Sequence, residues 1–304
     1  MELAPIVLFV YARPIETQKT IESLSKNFLA KESDLIIFSD GPKNPNLQST
    51  VLEVRKTIKS VTGFKSVKVI EREKNLGLGN SIITGITEVF NTYNKVIVLE
   101  EDLISSANFL DYINSSLTEY QNNEKVFSVT GYTYQMKIPD RYEFDNYFTP
   151  RCESLGWGTW KDRWIKADWN LKGFKTFLKN ESELKQFNKI GADLIGMLLR
   201  QQLGKLDSWA VRWCYAHFRN SAFCSYPTKS KIVHIGEGGE ATHVKNQVKI
   251  LDTEIDNELK IKYNFSNTVY TESIITAQYK KMFNRSFLRR LRNQYYRLKV
   301  LQHR

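Results

Sequence analysis

The chain has few cysteines and no long apolar run. It contains three cysteines in 304 residues, Cys152, Cys214 and Cys224, and none is spaced as in a CxxC motif. This small, odd number argues against a disulfide framework and against a structural zinc site, and it predicts a reducing, cytoplasmic location. No stretch reaches the roughly 18 to 20 apolar residues that a membrane-spanning helix needs. The N-terminal run PIVLFVYA lacks the pattern of a signal peptide and is expected to form a first strand.

Acidic residues are absent from the C-terminal segment 280–304. This segment holds nine Lys or Arg, so the rest of the chain carries 35 basic against 33 acidic residues, and only +2 of the net charge of +11. A nearly neutral body gives no reason to expect a nucleic-acid partner. Eight apolar residues of the segment recur at steps of mostly three or four, namely Met282, Phe283, Phe287, Leu288, Leu291, Tyr295, Leu298 and Leu301.

This spacing predicts an amphipathic helix with a cationic face. Such a helix suits an anionic membrane surface, so we expect a peripheral protein on the inner face of the cytoplasmic membrane. The alternative is a helix that docks on its own domain or on a partner subunit, and an oligomer stays open.

Apolar, β-rich runs alternate with helical patterns over the first 130 residues. Strands are expected at 5–12, 34–40, 66–72, 95–102 and 125–131, with helices from Pro14, in the fifties, from Gly79 and at 105–121. This order predicts the α/β class, with a mostly parallel sheet covered by helices on both faces. In such sheets ligands bind at the edge where the strands end. No linker interrupts the chain, so residues 1–130 and 131–250 are expected to be two halves of one domain, followed by a helical basic tail at 251–304.

Polar residues follow four of the predicted strands. They are Tyr11 to Arg13, Ser39 to Gly41, Arg72 to Asn75, and Glu100 to Asp102. Three consecutive carboxylates are unusual, because two like charges about 4 Å apart repel by about 4 kcal/mol at a partly buried site. A divalent cation such as Mg²⁺ or Mn²⁺ relieves this repulsion and takes oxygen ligands that it shares with phosphates. We expect Asp102 to bind the metal directly.

Two glycines precede the predicted third helix in EREKNLGLGNSI. Gly77 and Gly79 form a G-x-G pair, but Ile82 stands where the dinucleotide-binding fingerprint has its third glycine. The turn is therefore not that fingerprint. A helix N-terminus nevertheless favours anions, and a glycine turn allows a ligand to approach closely.

The order of FVYARP, FSDGP, EKNLGLGNSI, VLEEDL and GWGTWKDRW resembles GT-A fold nucleotide-sugar glycosyltransferases, particularly those of bacterial surface polysaccharides. It is also distantly similar to N-acetylglucosaminyltransferase I. The resemblance covers about residues 4–245, and the EED triplet stands where the family carries its Asp-x-Asp metal motif. It implies that the first half of the domain binds the nucleotide-sugar and that the second half binds the acceptor and completes the catalytic site.

The resemblance also implies roles for individual residues. Asp40 would accept the uracil N3–H of the donor, Arg13 would lie near the base or diphosphate, and Glu100 would contact the ribose or sugar. Asp102 would bind the Mn²⁺ or Mg²⁺ that bridges the diphosphate. The full donor-binding set expected is Arg13, Asp40, Asn75, Gly79, Glu100 and Glu101.

The segment LDSW matches the family segment that contains the catalytic base. The matching position is Asp207 or Ser208, and we expect Asp207 because only a carboxylate can take the acceptor proton. The alternative is that Asp207 only caps the following helix. Within HIGEGGEATH we expect His243 to bind the metal and His234 to end a strand, although the loop could also close over the donor without ligating anything.

Three tryptophans, Trp157, Trp160 and Trp164, either stack on sugar rings or belong to the core.

These features together predict a metal-dependent, inverting hexosyl- or N-acetylhexosaminyltransferase. The expected donor is a nucleoside-diphosphate sugar, most simply UDP-linked, and the expected acceptor is a hydroxyl of a bacterial surface glycan or lipid-linked oligosaccharide. A sugar-nucleotide pyrophosphorylase is one alternative, but VLFVYARPIETQ lacks the glycine-rich loop of that class. The other is a non-catalytic, basic-tailed scaffold in which Asp102 starts the helix at 105–121.

Overall fold

The computed structural model describes residues 2–236, 253–258, 260–284 and 287–302. The strands within these residues are β1 (Ile6–Val10), β2 (Asp34–Ser39), β3 (Ser66–Glu71), β4 (Lys95–Glu100), β5 (Leu103–Ser105), β6 (Val126–Thr130), β7 (Asn146–Thr149), β8 (Trp157–Trp160), β9 (Phe223–Pro227) and β10 (Ile232–His234). The helices are α1 (Pro14–Ser25), α2 (Gln48–Lys59), α3 (Leu78–Val89), α4 (Phe109–Glu119), α5 (Lys161–Trp164), α6 (Phe174–Lys179), α7 (Glu181–Phe187), α8 (Leu194–Gln202), α9 (Trp209–Arg219), α10 (Ser273–Met282) and α11 (Phe287–Gln302).

Eight strands form one mostly parallel sheet in the order β3-β2-β1-β4-β8-β6-β9-β7. Strands β3, β2, β1 and β4 are mutually parallel, and so are β6 and β9. Strand β8 runs antiparallel between β4 and β6, and β7 is an antiparallel edge strand. Because β8 lies between β4 and β6, residues from both sequence halves share this sheet.

Both faces of the sheet are covered by apolar side chains. All five residues of β1 are buried, with Ile6, Leu8 and Val10 in one apolar cluster and Val7 and Phe9 in the other. This is the alternation of a strand buried on both sides. Helices α1 and α4 contribute to the first cluster, and α3 and α9 to the second. The predicted fold class, a mostly parallel α/β sheet with helices on both faces and a C-terminal amphipathic helix, is confirmed.

The region after the acidic triplet differs from the prediction. The helix expected at 105–121 begins only at Phe109, because Leu103–Ser105 forms β5 and pairs antiparallel with β10. The residue that precedes the helix is Asn108, so the idea that Asp102 starts it is wrong. Farther along the chain, α7 ends at Phe187 and α8 begins at Leu194, with Gly191 in the segment between them.

The C-terminal helix α11 packs on α6 and α8. Within the described residues, no helix is long and apolar enough to cross a bilayer.

Candidate active site

The carboxyl ends of β1 to β4 bring the predicted polar segments to one edge of the sheet. These four strands are parallel neighbours, so the residues that follow them leave the sheet on the same side. Arg13 lies in the three-residue connection between β1 and α1, and Asp102 follows β4. The structure therefore joins two segments that are far apart in the sequence.

Asp102 is at the centre of the site. Its Oδ2 accepts a hydrogen bond from Arg13 Nη1 at 2.6 Å, and the same oxygen lies 3.2 Å from His234 Nε2. All three side chains are partly buried. One carboxylate oxygen thus faces a guanidinium and an imidazole at the end of the central strand.

The pairing of β5 with β10 places His234 there. Its Cα partner is Leu103, the residue after Asp102, and the backbone N–H of Ile235 donates to the Asp102 carbonyl at 2.9 Å. Gly236 follows and is buried. A Cβ at this position would lie 2.7 Å from Asp102 Oδ2 and 2.8 Å from His234 Nε2, so the backbone comes as close to both groups as only glycine allows.

The three carboxylates differ in their affinity for protons. Burial raises the pKa of Glu100 well above its usual value, and the charges of Asp102 and Glu101 raise it further. Burial, with the charge of Asp102, raises the pKa of Glu101 to about 7. Burial also acts to raise the pKa of Asp102, but His234 and Arg13 outweigh it, so this pKa is lowered. Asp102 is therefore the carboxylate of the triplet that its surroundings keep ionised.

Asp40 and Asn75 hold the turn before α3. The Asp40 carboxylate accepts from the backbone N–H groups of Leu76, at 2.9 and 3.1 Å, and of Gly77, at 3.2 Å. The Asn75 amide donates to the Gly41 carbonyl at 2.9 Å and accepts from the Gly77 N–H at 3.2 Å. Burial raises the pKa of Asp40, although these backbone bonds act against that rise. Both predicted donor-binding residues thus shape the loop at the α3 N-terminus.

Asp207 lies beside the same helix N-terminus. Its side chain is 51% exposed, and its Oδ1 accepts from Arg212 Nη2 at 3.2 Å. A Cβ at Gly79 would lie 2.5 Å from this Oδ1, so Asp207 nearly touches the first turn of α3. The N-cap of α9 is Ser208, whose hydroxyl accepts from the Val211 N–H at 3.3 Å. The alternative that Asp207 only caps this helix is therefore wrong.

Trp209 connects the Asp207 segment with the acidic triplet. Its buried side chain lies close enough to Glu100, two residues before Asp102, to act against the rise in the pKa of that carboxyl. The segment around Asp207 consequently contacts both the α3 N-terminus and the end of β4. This contact brings the second half of the chain to the same edge of the sheet.

The residues present fit a divalent cation. Among the described residues there is no cluster of three or more His, Cys, Asp or Glu arranged to hold a metal. Asp102 and His234 still converge on one point, and a cation that shares its ligands with phosphates needs only one or two protein side chains. The carboxylate oxygens of Asp102 are ligands that suit both Mn²⁺ and Mg²⁺.

The other predicted residues have separate outcomes. His243 lies outside the described residues. His234 ends a strand, as the sequence predicts. Its contact with Asp102 is not predicted by the sequence, in which the only signal is the presence of a histidine at the start of HIGEGGEATH. Trp157, Trp160 and Trp164 are buried and belong to the core instead of stacking on a ligand.

Comparisons with known proteins give distant similarities of structure. No protein-family model matches the chain, and no curated protein matches it. The structure is similar to S. aureus TarS, with 14% identity and a TM-score of 0.40 over 76% of this chain and 37% of that one. For a structure of residues 1–349 of S. aureus TarS, the identity is 12% and the TM-score is 0.41, over 75% of this chain and 59% of that one. The structure is also similar to mannosyltransferase PcManGT from Pyrobaculum calidifontis, solved with GDP-Man and Mn2+, with 9% identity and a TM-score of 0.39 over 72% of each chain. The chain thus spans just over a third of TarS.

Proposed function

We propose that this chain is a metal-dependent glycosyltransferase that moves a sugar from a nucleoside-diphosphate sugar to a hydroxyl group. The observation that carries the proposal is the convergence of Arg13 and His234 on one oxygen of Asp102 at the carboxyl end of β4. The residues for this chemistry come from both halves of the chain and lie at the sheet edge where α/β proteins bind ligands.

Asp102 and His234 would hold Mn²⁺ or Mg²⁺ in this site. When bound, such an ion neutralises the charge of the leaving diphosphate. The Arg13 guanidinium, now 2.6 Å from Asp102, adds a second cation at the same place. The N-terminal turn of α3, which follows the Asp40 turn, would favour phosphate oxygens.

Asp207 is the proposed general base. Its carboxylate is half exposed, and the hydrogen bond from Arg212 Nη2 holds it in place. A base that deprotonates the acceptor opposite the leaving group gives inversion at the sugar carbon. We propose a UDP-linked hexose or N-acetylhexosamine as donor and a surface glycan or lipid-linked oligosaccharide as acceptor.

Two other functions are less well supported. A pyrophosphorylase needs a glycine-rich loop after its first strand, whereas only Tyr11, Ala12 and Arg13 separate β1 from α1, and none is glycine. In the scaffold alternative the carboxylates would only cap a helix, but α4 starts seven residues after Asp102 and is preceded by Asn108.

A thermal-shift panel tests the proposal. The purified protein is heated with UDP-, GDP-, dTDP- and CMP-linked sugars, each with and without Mn²⁺. We expect stabilisation by one nucleotide class, UDP by preference, that requires the metal and is lost in Asp102→Asn. Asp34→Asn is the matched control, because Asp34 is also a paired carboxylate at a strand end but lies at the opposite end of β2. Equal stabilisation with and without metal, or an unaltered response in Asp102→Asn, would contradict the proposal.

A further inference from the structure

One face of helix α11 packs against the body of the protein. Val300 is 3% exposed, and Tyr296 and Leu301 pack against the second apolar cluster. Arg297 donates to the Leu178 carbonyl and to the Glu181 carboxylate, which fixes the helix on α6 and α7. The described part of this helix is therefore a docked element of the domain.

The opposite face carries a row of exposed apolar side chains. Leu288 is 75% exposed, Leu291 46%, Tyr295 53% and Leu298 58%. We call these four residues the outer stripe. Their spacing of three, four and three residues keeps them within an arc of about 80°, roughly 160° away from Val300 around the helix. Such a continuous apolar row on a protein surface marks an interaction site more often than chance exposure.

Cations accompany the outer stripe. Arg292 and Lys299 are exposed and, by helical geometry, lie along one side of it, and Lys299 Nζ lies 4.8 Å from the centre of the Tyr295 ring. The segment 280–304 has nine basic residues and no acidic one. The surface thus combines an apolar row with positive charge that has no acidic counterpart on the same segment.

We propose that the outer stripe docks on an anionic phospholipid bilayer, with α11 lying in the plane of the interface. The leucines would enter the boundary of the acyl chains, and Arg292 and Lys299 would meet the lipid phosphates. A second copy of this chain is a poorer occupant, because two such stripes would bring their cationic sides together. A nucleic acid would neutralise the cations but leave the leucines in water. This inference is independent of the proposed catalysis, although it would place the enzyme beside a lipid-borne acceptor.

Vesicle sedimentation of the full chain tests the inference. The protein is mixed with vesicles of equimolar phosphatidylglycerol and phosphatidylcholine, and with vesicles of phosphatidylcholine alone, at low and high salt. We expect binding to the anionic vesicles that falls with salt. The affinity for anionic vesicles should fall about tenfold or more in Leu291→Ser/Leu298→Ser. Docking would bury the exposed half of each leucine, which together equals the burial of about one whole leucine side chain. Arg292→Gln and Lys299→Gln should each weaken it about fivefold.

Matched variants separate docking from general effects. Leu52→Ser is the control, because Leu52 lies on helix α2, is 52% exposed and is remote from α11 in the sequence. Circular dichroism and the unfolding temperature should stay at the wild-type values in all variants, as every substituted side chain is exposed. Nucleotide binding by the thermal-shift assay should also persist, so failure here is distinguishable from failure of the catalytic proposal.

Three results would overturn the inference. The first is vesicle binding that Leu291→Ser/Leu298→Ser leaves unchanged or that Leu52→Ser reduces equally. The second is a concentration-dependent dimer, seen by light scattering, that the same double substitution abolishes while vesicles are not bound. The third is binding to a DNA duplex in the absence of vesicle binding.

Discussion

Replacing Gly236 with alanine should disrupt the proposed metal site while keeping the fold. The new Cβ would lie 2.7 Å from Asp102 Oδ2 and 2.8 Å from His234 Nε2, about 0.7 and 0.6 Å inside the range of ordinary contacts, which begins at 3.4 Å. At least one of these two side chains must move away. Altered support of metal-binding side chains typically lowers metal affinity by about 10- to 100-fold, and extra volume at a packed position costs about 1–3 kcal/mol of stability.

The assay is a Mn²⁺ titration followed by electron paramagnetic resonance, combined with chemical unfolding of the same samples. Gly173→Ala is the matched control, because a Cβ there meets nothing within 4 Å and the backbone φ is −84°. We expect Gly173→Ala to bind Mn²⁺ like the wild type. A folded Gly236→Ala protein with unchanged Mn²⁺ affinity would refute the proposed position of the metal.

Three further predictions follow from other contacts. Asp207→Asn keeps an oxygen that can accept from Arg212 but removes the proposed base, so sugar transfer should fall at least tenfold while donor binding persists. Equal loss of both in kinetic and binding assays would contradict the role of Asp207 as base. Arg13→Gln removes the guanidinium that contacts Asp102. The affinity for Mn²⁺ alone should therefore rise, and the affinity for the donor in the presence of Mn²⁺ should fall. Calorimetry that shows both affinities changing in the same direction would contradict this prediction. Burial lowers the pKa of His217 to about 4. Between pH 6.5 and 4 the unfolded chain therefore binds a proton at this histidine that the folded chain does not. About 3 kcal/mol of the folding stability present above pH 6.5 should be lost as the pH falls toward 4. Denaturation curves of wild type and His217→Gln that change identically over this range would contradict the last prediction.

The sequence predicts the sheet better than it predicts the site. Strands β1, β2 and β4 are nearly continuous apolar runs between turn residues, and burial on both faces leaves them few alternatives. The short β5 was missed, because three residues have little intrinsic preference and their pairing partner, Ile232–His234, lies far away in the chain. The missed contact between His234 and Asp102 depends on that non-local pairing.

The region around Asp207 shows the same limit. A polar pair before a helix predicts an N-cap, but local sequence does not decide which residue takes it. In the structure Ser208 caps α9, which leaves Asp207 beside Gly79 on another helix. The amphipathic pattern of α11 was likewise clear, yet only tertiary packing shows that Val300 faces inward and Leu288 outward.

The most direct test is anomalous diffraction from crystals soaked with Mn²⁺ and UDP, recorded at the manganese absorption edge. The account predicts one strong peak that contacts a carboxylate oxygen of Asp102 and Nε2 of His234, with a diphosphate oxygen on its open side. A peak elsewhere, or bound UDP with no manganese at Asp102, would contradict it.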